Sequence, residues 1–222
     1  MSFNRILILP ILLIFGIASV NANPKADSLL LQLKKAKDDT IKIRIYNELS
    51  SNYTKIKPDT ALYYVNKAIE LSNNILKTGD EETKQVVNIL LAQSYSNLGH
   101  YYKALDDNEL ATKSFKKSLE LRKSSEDLKG MAITYIDLGS IQTLKGNYDI
   151  AADYCNKAIE IQDKIKDDVG LARAYLNIGN VYYYQGDYDL ASDNYQKSLR
   201  LSEKINDLES VSKCCNNIGK IY

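Results

Sequence analysis

Few residues in this chain have the types and spacing that chemistry needs. The 222 residues include one histidine, His100, and three cysteines, Cys155, Cys214 and Cys215. A Ser-His-Asp or Cys-His arrangement would therefore rest on His100 alone. His100 directly follows Gly99, and nothing around it resembles a phospho-accepting histidine. It reads as a solvent-facing polar side chain, with ligand binding or pH sensing as the functional alternative. Cys214 and Cys215 are adjacent, whereas metal-binding cysteines are normally separated by intervening residues. Three cysteines are too few, and odd in number, for a disulfide scaffold. Cys155 and Cys215 are expected to be small buried apolar side chains. The acid pairs Asp106-Asp107, Asp167-Asp168 and Glu81-Glu82 suit helix starts and turns, where negative charge complements the helix dipole. No glycine-rich loop is followed by Lys-Ser/Thr, so there is no phosphate-binding loop. No enzyme chemistry, cofactor or metal is expected from these residues.

Composition narrows the class further. Hydrophobic residues make up 45% and charged residues 26% of the chain, which is globular rather than disordered. Tyrosine is used 17 times, against 3 phenylalanines and no tryptophan. The start, "MSFNRILILPILLIFGIASVNANPKAD", reads as an export signal over residues 1–22: Arg5 flanks an apolar run, Ile6 to Val20, and "VNA" suits cleavage. Fifteen helical residues span about 22 Å, short of the roughly 30 Å hydrocarbon core. An uncleaved membrane anchor is the alternative reading. No cysteine follows the run, so lipid attachment is not indicated. Without Arg5 the rest of the chain carries 28 basic and 28 acidic side chains. That balance argues against a broad nucleic-acid surface and against a polybasic membrane surface.

The elements that would position any site come from a forty-residue period. Gly99, Gly139, Gly179 and Gly219 are each forty apart, and each follows an aliphatic residue: Leu98, Leu138, Ile178 and Ile218. Four residues before the glycine stand Tyr95, Tyr135, Tyr175 and Cys215; twelve after it come Ala111, Ala151 and Ala191. A degenerate earlier copy runs from "YNELS" (Tyr46 to Ser50) to "PDTALYYVNKAIELS" (Pro58 to Ser72), and its wider spacing predicts a longer connection near residues 74–84. Apolar and small residues recur at helical intervals, interrupted by "KGNYD" and "QGDYD". Gly146 and Gly186 can take the positive φ that ends a helix. Asn147 and Asp187 are good N-caps for the next one. Each copy is then two antiparallel helices, and stacked copies bury a continuous core.

The residues Tyr95/Leu98/Gly99/Tyr102/Ala111/Phe115/Ser118, Tyr135/Leu138/Gly139/Ala151/Cys155/Ala158 and Tyr175/Ile178/Gly179/Tyr182/Ala191/Tyr195/Ser198 resemble three tetratricopeptide repeats of a forty-residue variant. The resemblance implies an all-α fold, a right-handed α-solenoid of stacked helix pairs. It divides the chain into a helical lead-in at 23–40 and an array at 41–222. Within the array a degenerate repeat covers 41–76, full repeats lie at about 86–125, 128–165 and 168–205, and a partial repeat covers 208–222. Gln142 and Cys155 stand where the family has larger rings, and its usual proline at the end of the second helix is absent. The sequence stops inside what should be a first helix, which suggests the front of a longer protein or an early-terminated relative of one. In an array Cys155 would lie about 20 Å from Cys214-Cys215, with helices 8–10 Å apart, far beyond disulfide reach.

In this family the first helices line a concave groove, and polar residues at set places there can hold an extended peptide. The matching residues here are Asn97, Asp137, Asn177 and Asn217, two before each glycine, and His100, Ser140, Asn180 and Lys220, one after it. Arg173 could meet a carboxylate. Tyr183 and Tyr184 follow the core Tyr182 and would serve either as extra core or as a rigid aromatic contact. A dense set of groove lysines and arginines, such as a carboxylate clamp uses, is not visible. The resemblance therefore implies an exported, non-enzymatic scaffold, periplasmic or envelope-associated in a bacterium, that binds a protein or peptide in its groove. It would bind no nucleic acid and meet a membrane only through an uncleaved signal or a missing C-terminal segment. The alternative is the sensory or coupling region of a repeat-bearing sensor histidine kinase or transcriptional regulator.

Overall fold

The computed structural model describes residues 23–222; the export segment expected at 1–22 lies outside them. Among the described residues ten helices follow one another: α1 (Pro24–Lys35), α2 (Asp39–Tyr53), α3 (Pro58–Thr78), α4 (Glu81–Ala104), α5 (Asn108–Ser124), α6 (Leu128–Leu144), α7 (Tyr148–Lys164), α8 (Asp168–Gln185), α9 (Tyr188–Lys204) and α10 (Leu208–Gly219). No strand occurs among these residues. The starts are set by one device. The side chains of Asp107, Asp127, Asp167, Asp187 and Asp207 each accept a hydrogen bond from the main-chain N–H three residues on, at 2.9–3.1 Å. Such a cap stabilises a helix by about 1 kcal/mol. Asn147 is different: it makes no side-chain cap bond, and its amide donates instead to Gln142 Oε1 at 2.9 Å.

The turns explain why the helices stop. Inside the α4–α5, α6–α7 and α8–α9 pairs a left-handed residue breaks the helix: Asp106, Gly146 and Gly186, with φ of 60°, 76° and 90°. Between pairs Glu126, Lys166 and Asn206 do the same, with φ of 54–57°. Only two of these six places carry the glycine for which the backbone costs nothing. The longer connection expected near residues 74–84 is not a loop. Gly79 and Asp80 alone join α3 to α4, and the extra residues lengthen those helices to 21 and 24 residues.

Successive helices pack in antiparallel pairs, α2 with α3, α4 with α5, α6 with α7 and α8 with α9, and each pair stacks on the next. Ala111, Ala151 and Ala191 are fully buried at the pair interface. Close approach is fixed by the periodic glycine. A Cβ on Gly99 would lie 2.7 Å from the Phe115 ring, and one on Gly179 would lie 2.6 Å from the Tyr195 ring. A Cβ on Gly139 would lie 3.0 Å from Cys155 Sγ, while one on Gly219 would meet nothing. The first helices also touch one another directly, α2 with α4, α6 with α8 and α8 with α10. They form the wall that carries the polar residues singled out from the sequence.

Candidate functional site on the wall of first helices

Residues of that wall fall into columns, because a forty-residue step repeats both the helix phase and the place along the axis. The column two before the glycine is mostly turned inward. Asn97 is 3% exposed, and its amide donates to the main-chain carbonyl of Asn47 at 2.8 Å. Asn47 is itself buried and donates to the Leu90 carbonyl at 3.0 Å. Asn97 is thus a tie between repeats, not a donor offered to a ligand. Asp137 is 6% exposed. Asn177 lies nearer the surface, but its amide donates to the Arg173 carbonyl of its own helix at 2.8 Å. Asn217 donates to Asn180 Oδ1 at 3.1 Å.

The column one after the glycine is more open. His100 is half-buried, edge-on to Phe115, with Nε2 3.5 Å from Asp137 Oδ2. That is ion-pair distance, but the carboxylate oxygen makes no hydrogen bond. Burial is the largest influence on the Asp137 carboxyl and raises its pKa; His100, Arg173, Lys103 and Arg122 pull it back less strongly. Lys103, not singled out from the sequence, stands above this carboxyl, and its ammonium donates to Ser140 Oγ at 2.5 Å. Burial lowers the Lys103 pKa against the attraction of Asp137. Arg173 is exposed.

Two hollows on the wall have different chemistry. The first, about 660 Å³, lies between the end of α2 and α4, and Lys55, His100 and Lys103 are its charged or titratable lining. Asn52, Thr54 and Ile56 complete much of its rim. Its cations come from residues 48 apart in sequence, which is why a basic groove was not legible there. The second is a shallow cleft between α8 and α10 lined by Asn180, Tyr183, Tyr184, Tyr195, Asn217 and Lys220. Asn180 Oδ1 accepts from the Tyr195 hydroxyl at 2.8 Å as well as from Asn217, and Lys220 donates to Asn217 Oδ1 at 3.2 Å. Tyr183 is half-buried and edge-on to Tyr184, ring centroids 5.6 Å apart; Tyr184 is 62% exposed. The pair is therefore neither wholly core nor wholly free.

The cysteines are arranged differently from the expectation. Cys155 is buried, and burial pushes its thiol up to about 12. In α10, however, Cys214 is the buried one and Cys215 is exposed. The place five before the glycine is buried in the three full copies and in the partial one, at Ser94, Thr134, Ala174 and Cys214. The place four before it is covered only as far as neighbouring side chains reach, as where Tyr154 stacks on Tyr135. Among the described residues no three His, Cys, Asp or Glu side chains converge as metal ligands.

The profile of the Tetratricopeptide repeat family matches residues 90–164 and 130–204, together more than half of the chain. With the paired helices and the glycine notches, this shows that the chain belongs to the tetratricopeptide repeat family. No curated protein matches it. Among solved structures it is similar to aspartyl phosphate phosphatase F from Bacillus subtilis, with a TM-score of 0.70 at 22% identity over 83% of this chain and 46% of that one. A second is a signal transduction ATPase with a tetratricopeptide repeat sensor from Pyrococcus horikoshii, with a TM-score of 0.70 at 20% identity over 90% and 30%. A third is the apo form of RapI, with a TM-score of 0.67 at 19% identity over 86% and 66%. At these identities the likeness is one of fold. The chain spans less than two thirds of each.

Proposed function

We propose that this chain is a non-enzymatic interaction module, exported to the bacterial envelope, that holds an extended segment of a protein partner along its wall of first helices. The observation that carries this reading is the 660 Å³ hollow of Lys55, His100 and Lys103, open on the same wall as the Tyr183-Tyr184 pair. A stacked array exposes such a wall over several repeats. That extent is needed: micromolar affinity takes about 8 kcal/mol, and a single neutral hydrogen bond contributes only about 1 kcal/mol. Export rests on the apolar run after Arg5.

The test is a pull-down from envelope extract with the chain and with a Lys55→Ala/Tyr183→Ala variant whose melting temperature matches it. A partner captured by the first and lost from the second supports the reading. A partner held equally by both sinks it. A second reading is favoured by one observation: the chain spans 30% of a protein whose repeats are described as a sensor. In that reading the array is the sensory region of a longer signalling protein. Sequencing the reading frame beyond Tyr222 tests it, with a membrane helix and output domain as the expected finding.

A further inference from the structure

One place in the second helices is filled differently from repeat to repeat. It directly precedes the core residue Val65, Phe115, Cys155 or Tyr195, and it holds Tyr64, Ser114, Tyr154 and Asn194 in turn. Where it is a tyrosine, its ring lies against the first-helix tyrosine that stands four before the periodic glycine, or before Ser50 in the first repeat. Tyr64 stacks on Tyr46 and Tyr154 on Tyr135, each with ring centroids 6.0 Å apart. Where it is Asn194 a lysine takes over, and the Lys197 ammonium sits 5.5 Å from the centre of the Tyr175 ring. Three of the four first-helix tyrosines are therefore covered from the second helix.

Tyr95 is the fourth. Ser114 brings no ring to it, and the Ser114 hydroxyl donates to the Leu110 carbonyl of its own helix at 2.8 Å. Lys117, the counterpart of Lys197, turns to Glu120 at 3.3 Å. What remains is an open hollow of about 760 Å³, with Tyr95, Leu98 and Tyr102 on one side and Leu110 and Ser114 on the other. Leu138, the counterpart of Leu98, is fully buried, whereas Leu98 is only partly covered. The hollow is in the size range of small-molecule sites. A tyrosyl ring is the shape that the same place accommodates twice elsewhere in the chain.

The charge changes together with the ring. Just before Ser114 stands Lys113, where the other repeats have Tyr63, Asp153 and Asp193. Two places after Ser114 stands Lys116, where they have Asn66, Asn156 and Gln196. Both lysines are exposed and line the hollow, and Lys145 joins them from the end of α6. With Lys117 they set four ammonium groups against two carboxylates, those of Glu109 and Glu120, and Glu120 is already turned to Lys117. The repeat that lacks the ring is the one that gains the cations.

We infer that this hollow between α4 and α5 is a binding site for a small aromatic carboxylate. The ligand's ring stacks on Tyr95 in the place of the missing tyrosyl ring, and its carboxylate meets Lys113 and Lys116 at the rim. The hollow shares no lining residue with that of Lys55 and Lys103. The inference therefore does not depend on reading the wall of first helices as a binding face.

The probe is para-hydroxyphenylpropionate, a tyrosine side chain carrying a carboxylate, titrated into the full chain and followed by ligand-observed NMR. It is expected to bind about fivefold more tightly than its uncharged amide, which lacks the charge, and than cyclohexylpropionate, which lacks the aromatic ring. High salt is expected to erase the advantage over the amide and to leave the advantage over the cyclohexyl compound. Ser114→Tyr supplies the missing ring from the chain itself. It is expected to keep or raise the melting temperature and to weaken the probe by about tenfold or more. Lys113→Glu/Lys116→Glu, on the exposed side of α5, is expected to leave the melting temperature unchanged and to bring the acid down to the level of the amide. Absence of saturable binding up to about 10 mM overturns the inference. So does a folded Ser114→Tyr chain that binds the probe as the parent does, or an amide that binds the parent as tightly as the acid. Should Ser114→Tyr fail to fold, the lysine variant decides: a probe that binds it as tightly as the parent overturns the inference.

Discussion

The side-chain amide of Asn97 donates to the main-chain carbonyl of Asn47, fifty residues earlier, at 2.8 Å. Its oxygen accepts from Gln93 at 3.0 Å, so both ends of the amide are used inside the array. Asn177 occupies the same column, yet reaches only the carbonyl of Arg173 one turn back. The two asparagines should therefore behave differently. Asn97→Ala leaves a buried carbonyl without its donor and should cost about 1–3 kcal/mol. Asn177→Ala should stay within about 0.5 kcal/mol, as surface changes usually do. Urea unfolding of the two variants checks this, and equal losses would show that Asn97 is not the tie described.

The periodic glycines make a second contrast. A Cβ at Gly179 meets the Tyr195 ring at 2.6 Å, and that ring is buried and anchored through its hydroxyl to Asn180. Gly179→Ala should overpack the α8–α9 interface and destabilise by about 1–3 kcal/mol. At Gly219 a Cβ meets nothing. There Gly219→Ala should be neutral or stabilising by up to about 1 kcal/mol through helix propensity alone. Thermal melts of both variants read the difference directly.

That contrast also shows what the sequence could disclose. The spacing of Leu98-Gly99, Leu138-Gly139 and Ile178-Gly179 fixes helix phase and pairing, because a small residue every forty places is needed wherever two helices meet closely. The cap at Asp187 was legible for the same local reason, and Asp107 and Asp167 were legible as acids at helix starts, whereas Asn147, read as a cap, makes no cap bond. Left-handed turns at Glu126, Lys166 and Asn206 were not, since side chains other than glycine carry them. Nor was the fate of the groove asparagines. Whether Asn97 faces a ligand or a neighbour depends on which carbonyl lies across the interface, and that is set by packing between residues fifty apart. The hollow of Lys55 and Lys103 escaped notice for the same physical cause. Cys214 and Cys215 were exchanged because adjacent helical residues point about 100° apart and the covering neighbour, not the period, decides which is buried.

Asp137 gives a prediction in pH. Its carboxyl is held above the usual range, chiefly by burial, against the pull of His100, Arg173 and Lys103. The unfolded chain ionises at the ordinary carboxylate value, so it releases its proton first. Folding stability contributed by this group is then greatest below that value. It falls as pH rises from the ordinary range through the raised one, and stays low above it. Asp137→Asn cannot ionise and should abolish this fall. Melting temperatures should match the parent at low pH and exceed it at neutral pH. A variant less stable than the parent at neutral pH would show that the surrounding cations outweigh burial.

One register place, four residues after the fully buried Ser118, Ala158 and Ser198 column, holds Arg122, Gln162 and Ser202 in successive repeats. The chain has solved it in opposite ways. The Arg122 guanidinium is buried and fully engaged, donating to Asp127 Oδ2 at 2.7 Å, Ser118 Oγ at 3.1 Å and Gln93 Oε1 at 3.1 Å. Gln162 is 1% exposed, and neither end of its amide has a partner. Gly130 and Gly170 make room for the two side chains, since a Cβ at either would overlap them. Methionine has nearly the volume of both and no hydrogen-bonding demand. Arg122→Met leaves Asp127 and Gln93 short of a donor and should cost about 3 kcal/mol. Gln162→Met removes an unpartnered buried amide and should stabilise by about 1 kcal/mol or more. Denaturant unfolding of the pair decides it: the same replacement at the same place in adjacent repeats should move the midpoint in opposite directions.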